Sequence, residues 1–390
     1  MKLTVVSIKI MFILLVLSAV SCVQGSKLRI IYTGSLQGQL EPCGCSPKSD
    51  FGGIARIAEY LAVHEEELSP YILIDAGNFS GEDTPQGKLK TEAMLKFLSS
   101  KKFDAVGYSA KEQVLKDDYF DLKLKEYEVP FVSRLSGYKR SVLLSRNGFD
   151  INVSADPEET ATGKLNILLT DITVSDANDL QGWDVIVTSS GEETEGPLTS
   201  AETVIAAAYP KGKKIGILTL NKDDRGRINY KHRWQPTGND ILETDVSRTI
   251  LDDYDSKVAV LMKEMDKPPP GTTYTGVDEC TACHQPFLKQ WENTRHASAF
   301  ASLEEVGKVS DPECIACHVV GFRQTGGFFS IGTTPGLANV QCESCHGIGR
   351  KHLTDYSPMN SVTEMTCLKC HTEENSPEFD YPVYLEKIKH

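Results

Sequence analysis

The sequence predicts a two-part chain: a larger α/β domain over residues 26–265 and a smaller, mainly α-helical domain over 274–390. Three observations predict it. Short β-branched runs alternate with helix-period apolar patterns between residues 27 and 265, the pattern of strands in a mostly parallel sheet covered by crossover helices. The run Lys267-Pro268-Pro269-Pro270-Gly271-Thr272-Thr273 cannot continue a helix, because proline lacks the amide donor, and it reads as a linker over 266–273. Beyond it the apolar runs are few and short, too little to build a core for a segment of that length.

In chain order, Leu28 to Tyr32, Tyr71 to Asp75 and Phe103 to Gly107 read as buried strands. Between them Ile54, Ile57, Ala58 and Leu61 recur at helical spacing, as do Ala93, Met94, Phe97 and Leu98, so that each helix covers one face of the sheet. Leu165 to Thr170, Val185 to Thr188 and Ile215 to Leu220 read as further strands, Arg227 to Trp234 alternates as an edge strand does, and an amphipathic helix from about Ile241 to Met265 closes the domain.

The formal charge of −13 argues against a nucleic-acid binder, which needs a basic face to neutralise phosphates. At the start of the chain, Lys2 followed by the mostly apolar, acid-free stretch Val5 to Val20 reads as an export signal over 1–25. Ser18-Ala19-Val20-Ser21-Cys22 has the form of a lipobox with Cys22 as lipid anchor, and cleavage after Val23-Gln24-Gly25 is the alternative. Both send the chain to the periplasm or cell envelope, the first as a lipoprotein, for example of the outer membrane.

Eleven cysteines in an exported chain would suggest disulfides, but eight fall in four C-x-x-C pairs, each followed directly by histidine: Cys280-Cys283-His284, Cys314-Cys317-His318, Cys342-Cys345-His346 and Cys367-Cys370-His371. Two thiols at this spacing add across the vinyl groups of one haem while the adjacent imidazole reaches the iron. Zinc held by paired C-x-x-C groups is the competing reading; four repeats with the histidine in place favour four c-type haems. His296, His352 and His390 are the remaining histidines of this segment and the candidates for the sixth ligands. Four haems with three spare histidines imply three bis-histidine irons and one that is five-coordinate or bound by another group, with Met359 and Met365 as the other soft donors.

From Tyr274 onward the chain resembles the tetrahaem cytochrome c-554 family, in Thr294-Arg295-His296-Ala297, in Ser310-Asp311-Pro312-Glu313-Cys314, and in Gln341-Cys342-Glu343-Ser344-Cys345-His346-Gly347. The resemblance implies electron transfer among closely packed haems, with other redox proteins or cytochromes as partners. It also implies mostly bis-histidine ligation and one haem that can be open. A haem enzyme reducing a small molecule at that open iron is the rival reading, and a building block of a larger haem assembly is another.

The first domain resembles the calcineurin-type metallophosphoesterase domain of bacterial nucleotidases, from Ile30-Ile31-Tyr32-Thr33-Gly34-Ser35-Leu36-Gln37 through Gly52-Gly53-Ile54-Ala55-Arg56 to Leu73-Ile74-Asp75-Ala76-Gly77-Asn78. That implies a metallophosphoesterase-like α/β sandwich ahead of the multihaem cytochrome c domain. In this family two metal ions are clamped by a D-x-H motif, a bridging aspartate, an N-H pair and later histidines. Here Ser35 and Gln37 stand at the D-x-H positions, Asn78 at the bridging aspartate, and Tyr108-Ser109 at the N-H pair, while Asp184 to Thr188 runs into Ser189-Ser190-Gly191 with no histidine. The domain is therefore expected to be inactive as a hydrolase, used for docking, shielding or small-molecule binding; a metal-dependent phosphoesterase with an appended cytochrome is the alternative. Cys43 and Cys45 add a candidate redox disulfide or soft-metal site, against a structural disulfide or two buried thiols.

Overall fold

The computed structural model describes residues 26–42, 45–113, 115, 117–200, 202–223, 227–264 and 273–390. The export signal, the lipobox, Cys43 and nearly all of the proline-rich linker lie outside the described residues.

Among the described residues twelve strands form two sheets: β1 Lys27–Thr33, β2 Tyr71–Asp75, β3 Ala105–Gly107, β4 Phe131–Val132, β5 Ser141–Arg146, β6 Phe149–Ser154, β7 Leu165–Thr170, β8 Val185–Thr188, β9 Leu198–Ser200, β10 Thr203–Ala207, β11 Lys214–Lys222 and β12 Ile228–Pro236. The first sheet has the order β12-β11-β1-β2-β3-β4 and the second β5-β6-β7-β8-β10-β9. Strands β1 to β4 run parallel to one another, and β11 and β12 add beyond β1 in antiparallel pairings. The expected α/β sandwich is present.

Alternation within β1 explains the layers. Leu28, Ile30 and Tyr32 point between the sheets, where they meet Ile151, Val153, Ile167 and Val187 of the second sheet. Ile31 points the other way, onto α1 (Ile54–Val63), α2 (Pro85–Ser100), α3 (Asp118–Tyr127) and α4 (Asp245–Glu264). A fully buried strand of this kind carries apolar residues on both faces. On the outer face of the second sheet, Leu168, Ile186 and Ile205 pack with Trp183 and with Ala177 of a short helix.

The strands read from sequence at Tyr71 to Asp75, Leu165 to Thr170 and Val185 to Thr188 are observed with those limits, and β12 is an edge strand as expected. The β5–β6 hairpin and the β9–β10 pair were not predicted. β5, with the sequence Ser-Val-Leu-Leu-Ser-Arg, has no fully buried residue, so its strand character comes from pairing with β6 rather than from a core pattern of its own. The stretch that carries the first motif and His296 is three pieces: α5 (Val277–Glu292), a 3₁₀ turn at Arg295–Ser298 and a short helix at Ala299–Glu305. Within α5 the backbone leaves helical geometry at His284, two residues before Pro286, whose ring and missing amide disfavour an uninterrupted helix there.

The C-terminal part consists of short helices and turns around a small apolar cluster, Phe300, Leu303, Ile315, Val319, Val320, Phe328, Leu337 and Ala338. It docks on the sandwich through ion pairs: Lys90–Glu313 at 2.6 Å, Lys48–Glu378 at 2.5 Å, Lys211–Glu374, and Lys308 with Glu41 at 2.5 Å and Asp255 at 2.9 Å. Among the described residues no helix is long and apolar enough to cross a membrane.

Candidate functional site: four histidine-bearing cysteine pairs

Each C-x-x-C-H motif lies on a short helix or turn with its own start signal. The first opens α5 behind Gly276, whose φ of 83° favours glycine. Asp311 caps the second by accepting from the Glu313 amide at 3.0 Å. The third is Cys342–His346, closed by Gly347 at φ 80°, and the fourth follows a capping box of Thr363 and Thr366. None of the eight cysteines is disulfide-bonded. The Cys280 thiol lies against Cys342 and the Cys317 thiol against Cys370. The tertiary structure thus places motif one beside three and motif two beside four.

The histidines meet in pairs. His284 faces His352 with ring centroids 6.1 Å apart, His346 faces His390 at 5.9 Å, and His371 faces His296 at 6.2 Å. Each pair joins a motif histidine to one of the three spare ones. An iron held between two imidazoles at metal–nitrogen distances of about 2.0–2.1 Å would set their centroids about 6 Å apart, because a ring nitrogen lies ~1.1 Å from its centroid.

Hydrogen bonding supports the same orientation. Nδ1 of His352 meets the Ser357 carbonyl at 2.8 Å, that of His346 the Asn360 carbonyl at 3.3 Å and that of His390 the Ile388 carbonyl at 3.1 Å. A ring tied through Nδ1 to a carbonyl offers Nε2 to a metal. The buried Ser344 hydroxyl, between Cys342 and Cys345, has no hydrogen-bond partner among the described residues, as expected of a pocket shaped for a further polar group. The donor set therefore fits haem.

His318 differs. Its Nδ1 meets the Ala299 carbonyl at 2.5 Å and the Ser302 hydroxyl at 3.4 Å, so the ring is held in the same way, yet all three spare histidines belong to other pairs. Met365 is 71% exposed and the Met359 methyl lies beside Gly349. Sequence spacing could not have given these pairings, since His296 follows motif one yet faces motif four.

In the sandwich, the loops after β1 and β2 carry the positions at which the family's metal ligands stand. The backbone there is unusual: Ser35 and Gln37 at φ 53° and Asn78 at φ 57° all sit in the left-handed region, a cost of about 1–3 kcal/mol each that is met with at functional sites. The two loops are zipped together by Ser35 N to Gly77 O at 2.8 Å and Gln37 N to Asn78 O at 3.0 Å. The side chains satisfy one another instead of a cation: Gln37 Nε2 donates to Ser35 Oγ at 2.8 Å and Asn78 Nδ2 donates to it at 2.9 Å. Gly191 closes over the pair, since a Cβ there would stand 3.4 Å from Ser35 Oγ. Three neutral, mutually hydrogen-bonded side chains do not fit a pair of divalent cations, which require carboxylates or free imidazoles.

Tyr108, at the N-H position, is buried in the core against Phe131 and Tyr138. The adjacent Ser109 hydroxyl donates to Glu112 at 2.6 Å, and Glu112 also accepts from the Phe79 amide at 3.0 Å. This buried carboxyl, which burial pushes above its ordinary range, bolts the β3 loop to the β2 loop. Sequence reading missed it, because Glu112 lies in no motif. His64 stacks on Tyr60 and His232 bonds Tyr32 at 2.9 Å, both away from these loops. Cys45 is disulfide-bonded, which agrees with the disulfide alternatives for it; its partner lies outside the described residues.

Comparison with known proteins finds two kinds of relative. Residues 279–347 match the family described as cytochrome c554 and c-prime. Cytochrome c-554 of Nitrosomonas europaea is 35% identical over 106 residues, 23% of this chain and 45% of that protein; the chain thus spans less than half the length of this curated relative. The 5'-nucleotidase precursor of Thermus thermophilus superposes with a TM-score of 0.52 at 17% identity, covering 64% of this chain and 61% of that one. A calcineurin-like phosphoesterase from Bacillus subtilis covers 60% of this chain and 98% of that one at 15% identity, with a TM-score of 0.46. The chain joins a segment similar to cytochrome c-554 to a sandwich with the 5'-nucleotidase fold.

Proposed function

We propose that the chain is an exported tetrahaem c-type cytochrome that passes electrons to and from other redox proteins in the periplasm or cell envelope. Its haems are attached at the four cysteine pairs and its sandwich serves as a docking domain. The observation that carries this reading is the set of three histidine pairs at 5.9–6.2 Å, each containing one C-x-x-C-H histidine. When bound, the haems supply one-electron redox chemistry. On the polypeptide's side the thiols would attach the haems, and His284 with His352, His346 with His390 and His371 with His296 would hold the irons. The approach of the thiols supports the grouping of the haems as one with three and two with four. Division into domains at 266–273 and anchoring by lipid at Cys22 belong to the same reading and rest on the sequence.

The test is haem counting by pyridine haemochrome with electron-paramagnetic resonance on the purified protein. Four haems are expected, three low-spin and one high-spin; bound zinc in place of haem would overturn the proposal. In H352A, H390A and H296A one low-spin centre each should become high-spin with the haem retained.

His318 favours a second reading, because the iron it would hold lacks a histidine opposite. Small-molecule chemistry at that centre predicts a spectral change on adding carbon monoxide or nitric oxide, and an unchanged spectrum would remove it. No observation favours phosphoesterase activity: release of phosphate from nucleotides is expected to stay at background with added manganese or zinc.

A further inference from the structure

Glu343 stands between the two cysteines of the third motif and is 3% exposed. Its Oε2 accepts from the Thr275 and Gly276 amides, both at 2.9 Å, and its Oε1 from the Gly349 amide at 2.8 Å. Gln341, also buried, accepts from the Val277 amide at 2.7 Å and donates to the Gly336 and Ala338 carbonyls at 2.8 and 2.6 Å. The third motif therefore grips the start of α5, the helix that carries the first motif, and the Cys280 thiol against Cys342 is the outcome of that grip.

The other three motifs have Thr281-Ala282, Ile315-Ala316 and Leu368-Lys369 between their cysteines; a carboxylate occurs in the third alone. Backbone amides are strong donors to a carboxylate, yet they carry no net charge to cancel it. A buried negative charge at this depth acts over a long range, because little water screens it.

We propose that Glu343 is a positioning residue that fixes motif one against motif three and, through its charge, lowers the reduction potential of the haem attached at Cys342 and Cys345. The inference rests on the haem reading above. Ferric haem carries one more positive charge than ferrous haem, so a fixed anion nearby stabilises the oxidised form, and burial and local charge are among the levers by which a protein sets such potentials.

The experiment is potentiometric titration of the full-length, haem-loaded protein with E343Q and E343D, with haem content and resonance spectra recorded on each. E343Q keeps the size and removes the charge. It is expected to retain four haems and to raise the midpoint of one low-spin centre by on the order of tenfold in the oxidised-to-reduced equilibrium, about 59 mV for one electron. E343D keeps the charge and should stay near the wild-type midpoint. Full haem content with an unchanged midpoint in E343Q would overturn the inference, as would equal shifts in both variants or loss of haem from both. A wild-type protein without haem would instead overturn the underlying reading, and this inference with it.

Discussion

Asp75 ends β2 with no exposed surface, accepting from the Thr33 hydroxyl at 2.6 Å and the Gly77 amide at 2.8 Å. Burial outweighs these two donors and pushes its pKa up from 3.8 to about 7. A carboxyl whose folded pKa exceeds its unfolded one binds its proton more tightly in the native state, so it favours the fold at low pH and that contribution is lost as pH rises from about 4 to about 7. D75N is expected to remove this dependence, worth at most about 4 kcal/mol across that window, as measured by urea denaturation at pH 5 and pH 8. An identical pH dependence in wild type and D75N would refute the assignment. For the neighbouring Ser35, Gln37 and Asn78 the sequence is informative only in part. Their identities reveal that ligands are missing, but not that the three would hydrogen-bond among themselves and keep the left-handed backbone of the site.

The elements that join the two parts of the molecule are short and charged. The second cysteine motif rests on the sandwich through Asp311, which accepts from Gln86 at 2.9 Å, and through Glu313 on Lys90. Three residues before Asp311, Lys308 is shared by Glu41 and Asp255. K308M would leave those two carboxylates facing each other without their cation; since all three side chains retain some exposure, the expected loss is ~1–3 kcal/mol rather than the full cost of a buried orphan charge. Denaturation of the haem-loaded protein would measure it, together with faster proteolysis between the two parts. No sequence rule could pair Lys308 with Glu41, because the pairing depends on how the parts meet. Pro286 marks the break in α5 in the sequence, whereas its position at His284 is seen only in the backbone.

Over the whole molecule the core is unevenly distributed. The sandwich has two extensive buried clusters, one between its sheets and one under its helices, whereas the cluster of the C-terminal part holds eight buried apolar residues among those described. Expression without the haem-attachment machinery should therefore give a folded, protease-resistant sandwich and a C-terminal part that is digested. A compact C-terminal part without haem would contradict the reading that the apolar side chains of this part are too few to hold it together.

The sequence by itself carries the signal for the class of chemistry proposed here, because C-x-x-C-H spacing is a local pattern that four short stretches satisfy without reference to the rest of the chain. It also determined the core strands of the sandwich, whose apolar patterns follow from two-sided burial, and the absence of metal ligands from that fold's usual positions. Tertiary structure alone decided which histidine faces which, that His318 is left outside those pairs, that β5 pairs as a strand, and that Glu343 points inward to hold another motif. Each of these is a contact between residues distant in the chain, fixed by how separate elements pack, and packing leaves no mark in the spacing of residues along one element.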